Sequence, residues 1–505
     1  MKLIVLVFLL VFTNQFTAAQ ELASKELKTA IDRKHIFTSL RLALEEPENV
    51  YKLKLRGIPD RLLSLDKNIK AIQDTINHLD TIFAPNKEKR IAKYKRQQKK
   101  IEKEKNYFNL DSLRMLTKLV FLDISYNELT SLPDIFEYLP NLRFLNIDNN
   151  ELTILPADLH TLNHLQELHV AQNKLSALPE NLSELKDLKI FNVQNNSISK
   201  LPNNLGNCIN LEQLLADSNQ ISVFPENFEQ LTKLEYIKLS SNNLNIIPDG
   251  ICNFTNLKEL YLDNNNISIL PKKIGKLTKL KVCQLANNHI SSLPNSIGSL
   301  GILATLNLTG NKLTTIPKGI IQLVNLKHLY LANNEISNLP NSLGLLNQLE
   351  TLHINDNNLS YLPESIGLLT KLIIFYADNN KLSHISNTIS QITNLRECYL
   401  NNNNFVVFPT GLAHLRKLEV LFLHENKLMS IPDSCISGMV RLQTLTANNN
   451  QITTLPDTMQ FMKRLKRLYL SHNQIESIPP STGKLKNLII LSLDHNLLTT
   501  LPNEI

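Results

Sequence analysis

Residues 119–133 read LVFLDISYNELTSLP, and the pattern returns as LRFLNIDNNELTILP at residues 142–156 and LQELHVAQNKLSALP at residues 165–179. The shared frame is LxxLxLxxNxLxxLP. Its asparagine recurs every 23 residues from Asn127 to Asn426, then at Asn450, Asn473 and Asn496. All seventeen copies keep the asparagine, and every copy except the one with Ser386 keeps the proline. A fixed period of this length indicates a repeat array, in which each turn buries its leucines only by stacking on its neighbours.

Each part of the frame has a physical reading. The LxL segment alternates with period two, which predicts a short strand with its leucines on the inner face. The asparagine amide both donates and accepts, so it can satisfy backbone groups where the strand ends. The Leu-Pro pair fixes an extended bend, because proline fixes φ and disfavours helix in the residue before it. The apolar residues that follow then return to the inside on the convex side.

This pattern resembles the leucine-rich repeat proteins, in the 23-residue LxxLxLxxNxLxxLPxxIxxL class found in Ras-pathway scaffolds and many bacterial proteins. The signature covers residues 116–505. The preceding FTSLRLALEEPENVYKLKL, residues 37–55, is similar to the lead-in of exported bacterial members. The resemblance implies an α/β solenoid shaped as a curved horseshoe, with a parallel concave sheet and short irregular or 3-10 convex segments. It also implies that partners bind through the concave face.

The N-terminus has the three parts of a secretory signal. Lys2 precedes an apolar run at residues 3–12, and small residues at 17–19 form a cleavage site that leaves Gln20 as the first mature residue. The run is shorter than the roughly 20 residues that a membrane span needs, and no later segment is long enough. Residues 1–19 are therefore predicted to be a signal peptide, and the protein is predicted to be exported to the periplasm, cell surface or extracellular space.

Residues 20–115 depart from the frame. A small helical lead-in is predicted over residues 20–48, followed by a degenerate first repeat with an inserted basic helical hairpin over residues 49–115. Within it, residues 87–105 hold ten Lys or Arg against three Glu, which matches the +7 charge of the whole chain. This basic segment could contact polyanions such as anionic polymers or lipid phosphates. A solvated helix face is the other interpretation, and both stay open.

Motifs for catalysis are missing from the sequence, including HExxH, GxSxG, GxGxxG, a Walker loop and CxxC. We therefore predict a non-enzymatic protein without cofactors. The five cysteines fit no disulfide framework, so free and mostly buried thiols are expected. His472 and His495 occupy the same frame position in adjacent repeats, next to Asp494. A polar strand edge with solvated histidines is the interpretation favoured for them, and no metal is predicted.

The fifth position of LxxLxL should project from the concave face, and it carries an unusual run of rings. The predicted binding residues are Tyr261, Tyr330, His353, Tyr376, Tyr399, Phe422 and Tyr469. The same column begins with Asp123, Asn146, His169 and Asn192, so we expect the face to divide into a polar half and an aromatic half. Tyrosine supplies a large contact area at low entropy cost, which favours a binding patch. The alternative is that rings simply favour sheet.

Three functions fit these features. The first is an exported binding protein that holds a protein or peptide partner on its concave face. The second is a cell-surface adhesin for polysaccharide, and the third is an intracellular Ras-scaffold-like adaptor if the signal prediction is wrong. The sequence also stops midway through a repeat, which would leave Leu488, Leu491 and Leu493 uncovered. End-to-end self-association there, or an incomplete sequence, is expected.

Overall fold

The computed structural model describes residues 36–37, 51–55 and 110–505, with isolated helical positions at 70, 92, 95, 96 and 98. The chain forms two units, Met1–Asn196 and Ser197–Ile505. The predicted signal segment at residues 1–19 lies outside the described residues, as does most of the predicted lead-in and basic hairpin. None of the described helices is both long enough and apolar enough to cross a membrane.

Unit 1 consists of short strands that alternate with 3-10 turns, as the frame predicts. Its described strands are β1 (Ile36–Phe37), β2 (Lys52–Lys54), β3 (Phe121–Asp123), β4 (Phe144–Asn146), β5 (Glu167–His169) and β6 (Ile190–Asn192). Each strand pairs in parallel with the one before it. The 3-10 helices span Leu110–Met115, Phe136–Tyr138, Ala157–Thr161 and Glu180–Glu184.

Strand β1 corrects the predicted helical lead-in at two residues. Ile36 and Phe37 pair with Lys52 and Leu53 of β2, in parallel. The other edge of β2 pairs with β3, so β1 satisfies backbone groups that would otherwise form an open sheet edge. A β-branched residue followed by an aromatic one also suits a strand better than a helix.

Unit 2 repeats the same arrangement. Its strands are β7 (Gln213–Leu215), β8 (Tyr236–Lys238), β9 (Glu259–Tyr261), β10 (Val282–Gln284), β11 (Thr305–Asn307), β12 (His328–Tyr330), β13 (Thr351–His353), β14 (Ile374–Tyr376), β15 (Glu397–Tyr399), β16 (Val420–Phe422), β17 (Thr444–Thr446), β18 (Arg467–Tyr469) and β19 (Ile490–Ser492). Neighbours along the chain pair in parallel throughout this unit.

The return segments of unit 2 are almost all 3-10 helices. They span Leu205–Asn207, Phe228–Gln230, Asp249–Asn253, Ile274–Lys276, Asn295–Ser299, Lys318–Gln322, Leu343–Leu345, Glu364–Leu368, Asn387–Gln391, Thr410–His414, Met459–Phe461 and Pro480–Lys484. The exception is a single α-helical turn, α1 (Asp433–Ile436). It lies in the repeat that carries one extra residue, which gives the chain the length that a wider turn needs.

The middle residue of every strand from β2 to β18 lies in the core. Leu260, Cys283 and Leu306 are directly paired across β9, β10 and β11, and all are at most 1% exposed. The parallel sheet and the 3-10 return segments that the family resemblance implies are therefore confirmed. Leu488, Leu491 and Leu493 are only partly covered, whereas the equivalent leucines of the preceding repeat are fully buried.

The cysteine prediction is also confirmed. All five cysteines are free and buried. Burial raises the pKa of Cys283 to about 12, so this thiol stays protonated at neutral pH. A buried protonated thiol is a small apolar group and a poor nucleophile.

The frame asparagine joins each repeat to the previous one. Asn265 donates from Nδ2 to the carbonyl of Leu262 at 3.1 Å and to the carbonyl of Leu239, one repeat earlier, at 2.9 Å. Its Oδ1 accepts from the amide of Leu244 at 2.9 Å. The same pattern recurs at Asn288 and Asn311. One side chain thus satisfies buried backbone groups in two successive turns, and we call this series the asparagine ladder.

The residue before each ladder asparagine has a left-handed backbone, which sequence reasoning missed. Its φ lies between 51° and 67° in all seventeen repeats, including Asn264 at 54°. Asparagine occupies this position in eight repeats and glycine in one, Gly310. These are the residue types that tolerate positive φ best. Pairs of consecutive asparagines, such as Asn264 and Asn265, were therefore the sequence signal for this left-handed position.

Removing one member of the asparagine ladder should destabilise unit 2 by about 2–4 kcal/mol. Asn265→Ala leaves two buried carbonyls and one buried amide without this partner, and each such loss costs about 1–3 kcal/mol before water compensates. The matched control is Asn266→Ala, because Asn266 is the exposed next residue and should cost less than about 0.5 kcal/mol. Thermal unfolding and amide hydrogen exchange measure both effects. Equal losses for the two variants would contradict the role of the ladder.

The half-buried carboxylate of Asp263 should make stability depend on pH. Asp263 Oδ1 accepts from the amide of Ala286 at 2.8 Å, and burial raises the pKa of Asp263 to about 6. Its ionisation therefore opposes folding, and this cost is absent below about pH 4 and complete above about pH 6. Asp263→Asn should raise the melting temperature by about 1–3 °C at pH 7 and leave it unchanged near pH 4. Exposed Asp249→Asn is the matched control, and a pH-independent difference for Asp263→Asn would refute the assignment.

Candidate binding surface

In strands β2 to β18 the first and third residues point away from the core, because the second residue is buried in it. In β12 and β13 the second residues are Leu329 and Leu352, which are both fully buried. Pairing in register places the third residues of successive strands side by side, so that Tyr330 lies opposite His353. The outward residues of unit 2 therefore form two continuous columns along the solvent-facing side of the sheet.

Five predicted site residues form one unbroken series of rings. The ring centroids of Tyr330 and His353 are 4.9 Å apart, those of His353 and Tyr376 are 4.4 Å apart, and those of Tyr376 and Tyr399 are 4.0 Å apart. Tyr399 then meets Phe422 edge to face at 4.9 Å. All five side chains are half-buried. We call Tyr330, His353, Tyr376, Tyr399 and Phe422 the aromatic stack.

The other two predicted residues stand apart from the aromatic stack. Tyr261 is paired with Lys238 and Gln284, and its hydroxyl donates to Glu259 Oε2 at 2.8 Å. The Lys238 ammonium lies 5.0 Å from the centre of this ring. Tyr469 lies in the same column, between Thr446 and Ser492. The structure thus brings together five of the seven predicted residues and separates two.

The predicted division of the face into a polar and an aromatic half is wrong for the face as a whole. In unit 1 the first strand positions carry Phe121 and Phe144, whose rings stack at 4.2 Å. His169 continues the contact at 5.3 Å from Phe144. The contrast holds only for the third-position column, where Asp123 is buried and pairs with Lys54 at 3.4 Å. The prediction used only the third-position column, whereas the rings of Phe121 and Phe144 lie in the first-position column.

Burial shifts the pKa values of two side chains at the aromatic stack and beside it. Burial, and then His328, lower the pKa of His353 to about 4, so its imidazole is neutral at pH 7. Burial, followed by Asp356, raises the pKa of Asp378 to about 6. The Oδ1 atoms of Asp378 and Asn355 are buried without a hydrogen-bond partner. Two unsatisfied acceptors therefore lie in consecutive repeats immediately beyond the rings of Tyr376 and His353.

A second surface feature lies away from the strands. A groove of about 780 Å³ runs along the Leu-Pro segments of two repeats. Its lining includes Tyr361, Glu364, His384 and Ser386, the residue that replaces the frame proline. Tyr361 is 38% exposed and has no ring contact within the described part of the chain. Sequence reasoning noted the missing proline at Ser386 but did not predict this groove.

One group within the described residues has metal-ligating side chains close together. His472, Asp494 and His495 are exposed, and one ligand atom from each lies within 4.8 Å of the others. The two histidines, which occupy the same frame position in adjacent repeats, are stacked with their ring centroids 4.1 Å apart.

Comparisons with known proteins agree with the repeat frame. Family models match as "Leucine-rich repeat region" at residues 265–335 and 318–446, "Leucine rich repeat" at 222–267, "Leucine Rich repeats (2 copies)" at 463–504 and "Leucine Rich Repeat" at 118–139 and 141–162. No curated protein sequence matches the chain.

Similar solved structures come from bacteria and plants. A leucine-rich repeat protein of Leptospira interrogans is 31% identical over 77% of this chain and 94% of that chain, with a TM-score of 0.64. The ectodomain of the Arabidopsis thaliana receptor kinase GASSHO1/SCHENGEN3, in complex with CASPARIAN STRIP INTEGRITY FACTOR 2, is 29% identical over 77% of this chain and 51% of that chain, with a TM-score of 0.62. The Arabidopsis receptor kinase HAESA, in complex with the peptide hormone IDA and the co-receptor SERK1, is 26% identical over 77% and 76%, with a TM-score of 0.52. This chain belongs to the leucine-rich repeat family.

Proposed function

We propose that the protein is an exported, non-enzymatic binding protein that holds a protein or peptide partner on the aromatic stack. The observation that carries this proposal is the unbroken contact of five rings from five consecutive strands, β12–β16. Half-buried rings offer a large and rigid contact area, since their neighbours already restrict their rotation.

The orientation of the rings favours a peptide over a polysaccharide. Tyr376 and Tyr399 are nearly parallel, at 8°, so each covers a face of the other. His353 packs against Tyr376 at 4.4 Å as well. Sugars pack their C–H groups on free ring faces, whereas these contacts occupy ring faces. The Tyr399 hydroxyl donates to Glu397 Oε2 at 3.0 Å, so this carboxylate also lies at the stack, where it can accept from the N–H groups of a polypeptide.

The charge next to the aromatic stack suggests what the partner carries. Lys327 pairs with Glu350 at 3.1 Å where these strands begin. Where the strands end, Asp356, Asp378 and Glu425 form no ion pair with lysine or arginine among the described residues. We expect a partner segment with a lysine, an arginine or free N–H groups over that acidic side, and binding that weakens with salt.

Known complexes support a peptide or protein partner in general. The two Arabidopsis receptor kinases above are in complexes, one with CASPARIAN STRIP INTEGRITY FACTOR 2 and the other with a peptide hormone and a co-receptor. Export rests on the sequence of residues 1–19 alone. N-terminal sequencing should find Gln20 first in protein outside the cytoplasm, and intact Met1 in the cytosol would favour the intracellular adaptor instead.

The groove beside Tyr361 is a second candidate binding surface. A polysaccharide would fit better in the groove beside Tyr361, where hydroxyls, a carboxylate and an uncovered ring lie together. Binding on a glycan array that is lost in Tyr361→Ala would identify this adhesin role.

Polyanion contact by residues 87–105 predicts salt-sensitive retention on heparin. End-to-end association predicts oligomers by sedimentation at high concentration.

Alanine variants of the aromatic stack should weaken peptide binding. A random peptide display library selected on the immobilised protein supplies a ligand, and calorimetry gives its affinity. Tyr376→Ala and Tyr399→Ala should each cost more than about 1 kcal/mol, a roughly fivefold or greater rise in Kd, because they remove central rings. Since the chain has no tryptophan, a ligand on the stack should also change tyrosine emission.

The matched control for these variants is Tyr469→Ala. Tyr469 is the same residue type in the same column but outside the stack, so its loss should change affinity little. Melting temperatures must be compared in parallel, because a lost cross-strand aromatic contact costs about 0.2–1 kcal/mol of stability by itself. A confirmed ligand that binds all three variants as tightly as the parent would place the site elsewhere.

A further inference from the structure

We propose that His472 and His495, with Asp494 beside them, form a surface site for a divalent transition metal ion of the zinc, cobalt, nickel or copper type. The site lies on the turns that follow β18 and β19, apart from the aromatic stack. It therefore does not depend on the proposed function.

The backbone brings the two imidazoles together. His472 and His495 both occupy the left-handed position before the ladder asparagine, with φ of 54° and 53°. Their turns are joined by hydrogen bonds from the amide of His472 to the carbonyl of Asp494, at 2.9 Å, and from the amide of Asn473 to the carbonyl of His495, at 3.2 Å. The rings consequently lie 4.1 Å apart and within 14° of parallel.

Asp494 supports the site in the way that metal-binding histidines usually require. Its Oδ2 lies 3.0 Å from Nδ1 of His495, a contact that orients this ring and leaves Nε2 as the nitrogen available to a metal. Its Oδ1 accepts from the hydroxyl of Ser492 at 3.1 Å and from that of Ser471. The carboxylate is thus held in place from both adjacent strands. This second layer of contacts is what the sequence alone could not show.

The donor set determines which ions should bind. Two imidazole nitrogens suit zinc, cobalt, nickel and copper, whereas calcium and magnesium prefer sets of oxygen ligands. In a tetrahedral zinc site the donors lie about 3.4 Å apart, given metal–nitrogen bonds of about 2.0–2.1 Å. The ligand atoms of His472, Asp494 and His495 now lie within 4.8 Å of one another. All three side chains are exposed, so the two rings can rotate out of their stacked arrangement until a nitrogen of each points at the same ion, and water can complete the coordination.

Metal binding would join β18 to β19 through their side chains. The paired strands already share backbone hydrogen bonds. A bound ion would oppose separation of these two turns, and it should raise the amide protection of residues 490–496 in hydrogen exchange.

The test uses untagged full-length protein, treated with a chelator and then dialysed. Titration with Co²⁺ or Zn²⁺ at pH 7.5, followed by calorimetry and by the Co²⁺ absorption spectrum, should show about one strong site with a Kd in the micromolar range. His472→Asn and His495→Asn should each weaken binding at least tenfold. Asparagine occupies this backbone position in eight other repeats, so both variants should keep the fold. Asp494→Asn should weaken binding about tenfold, as losses of second-layer partners do.

The control for non-specific histidine binding is His384→Asn, an exposed histidine with no histidine neighbour, which should bind metal like the parent. Ca²⁺ and Mg²⁺ should not compete. The proposal is overturned if the parent shows no saturable uptake, or if His472→Asn and His495→Asn bind as tightly as His384→Asn. Melting curves that match the parent confirm that weakened binding does not come from unfolding.

Discussion

The asparagine ladder is the constraint on which the rest of this structure depends. A turn after a three-residue strand leaves carbonyl and amide groups that no strand partner can reach, and burying them unsatisfied is costly. Asn265 resolves this by bonding to its own turn and to the turn before it. Because each amide must meet the same groups one repeat earlier, the repeat length can hardly vary. The single longer repeat takes its extra residue in α1, on the opposite side of the coil.

Because the repeat length is fixed, residues one repeat apart in the sequence lie next to each other in the structure. Residues 23 positions apart become partners in adjacent strands. Residues that hold the same place in successive repeats therefore form a column on the surface. This explains why Tyr376 and Tyr399 stack at 4.0 Å and why His472 and His495 stack at 4.1 Å, although no local contact brings either pair together. The inward leucines and the ladder carry stability. The outward positions can then vary with little effect on the fold.

Much of the fold could be predicted because it depends on residues that repeat. The strands and the inward Leu and Cys positions follow from periodicity, and the 3-10 segments follow from the resemblance to leucine-rich repeat proteins. What could not be predicted depends on interactions without a period. Ile36–Phe37 is a strand because it meets the edge of β2, and the Phe121–Phe144 stack appears only when both outward columns are considered. The unsatisfied Oδ1 of Asp378 depends on its rotamer, which no sequence pattern specifies.

The contrast between the two ring clusters bears on what the aromatic stack is for. Phe121 and Phe144 show that neighbouring rings can arise on this sheet as packing, since cross-strand aromatic pairs are favourable in themselves. The aromatic stack, however, is bordered by unsatisfied acceptors and by carboxylates that have no basic partner among the described residues. Neither feature makes the packing of the rings more stable. Burial, followed by Asp356, raises the pKa of Asp378 beside Tyr376 to about 6, so its ionisation opposes folding at neutral pH. A residue that costs stability at a position free to vary is more consistent with a binding role than with folding.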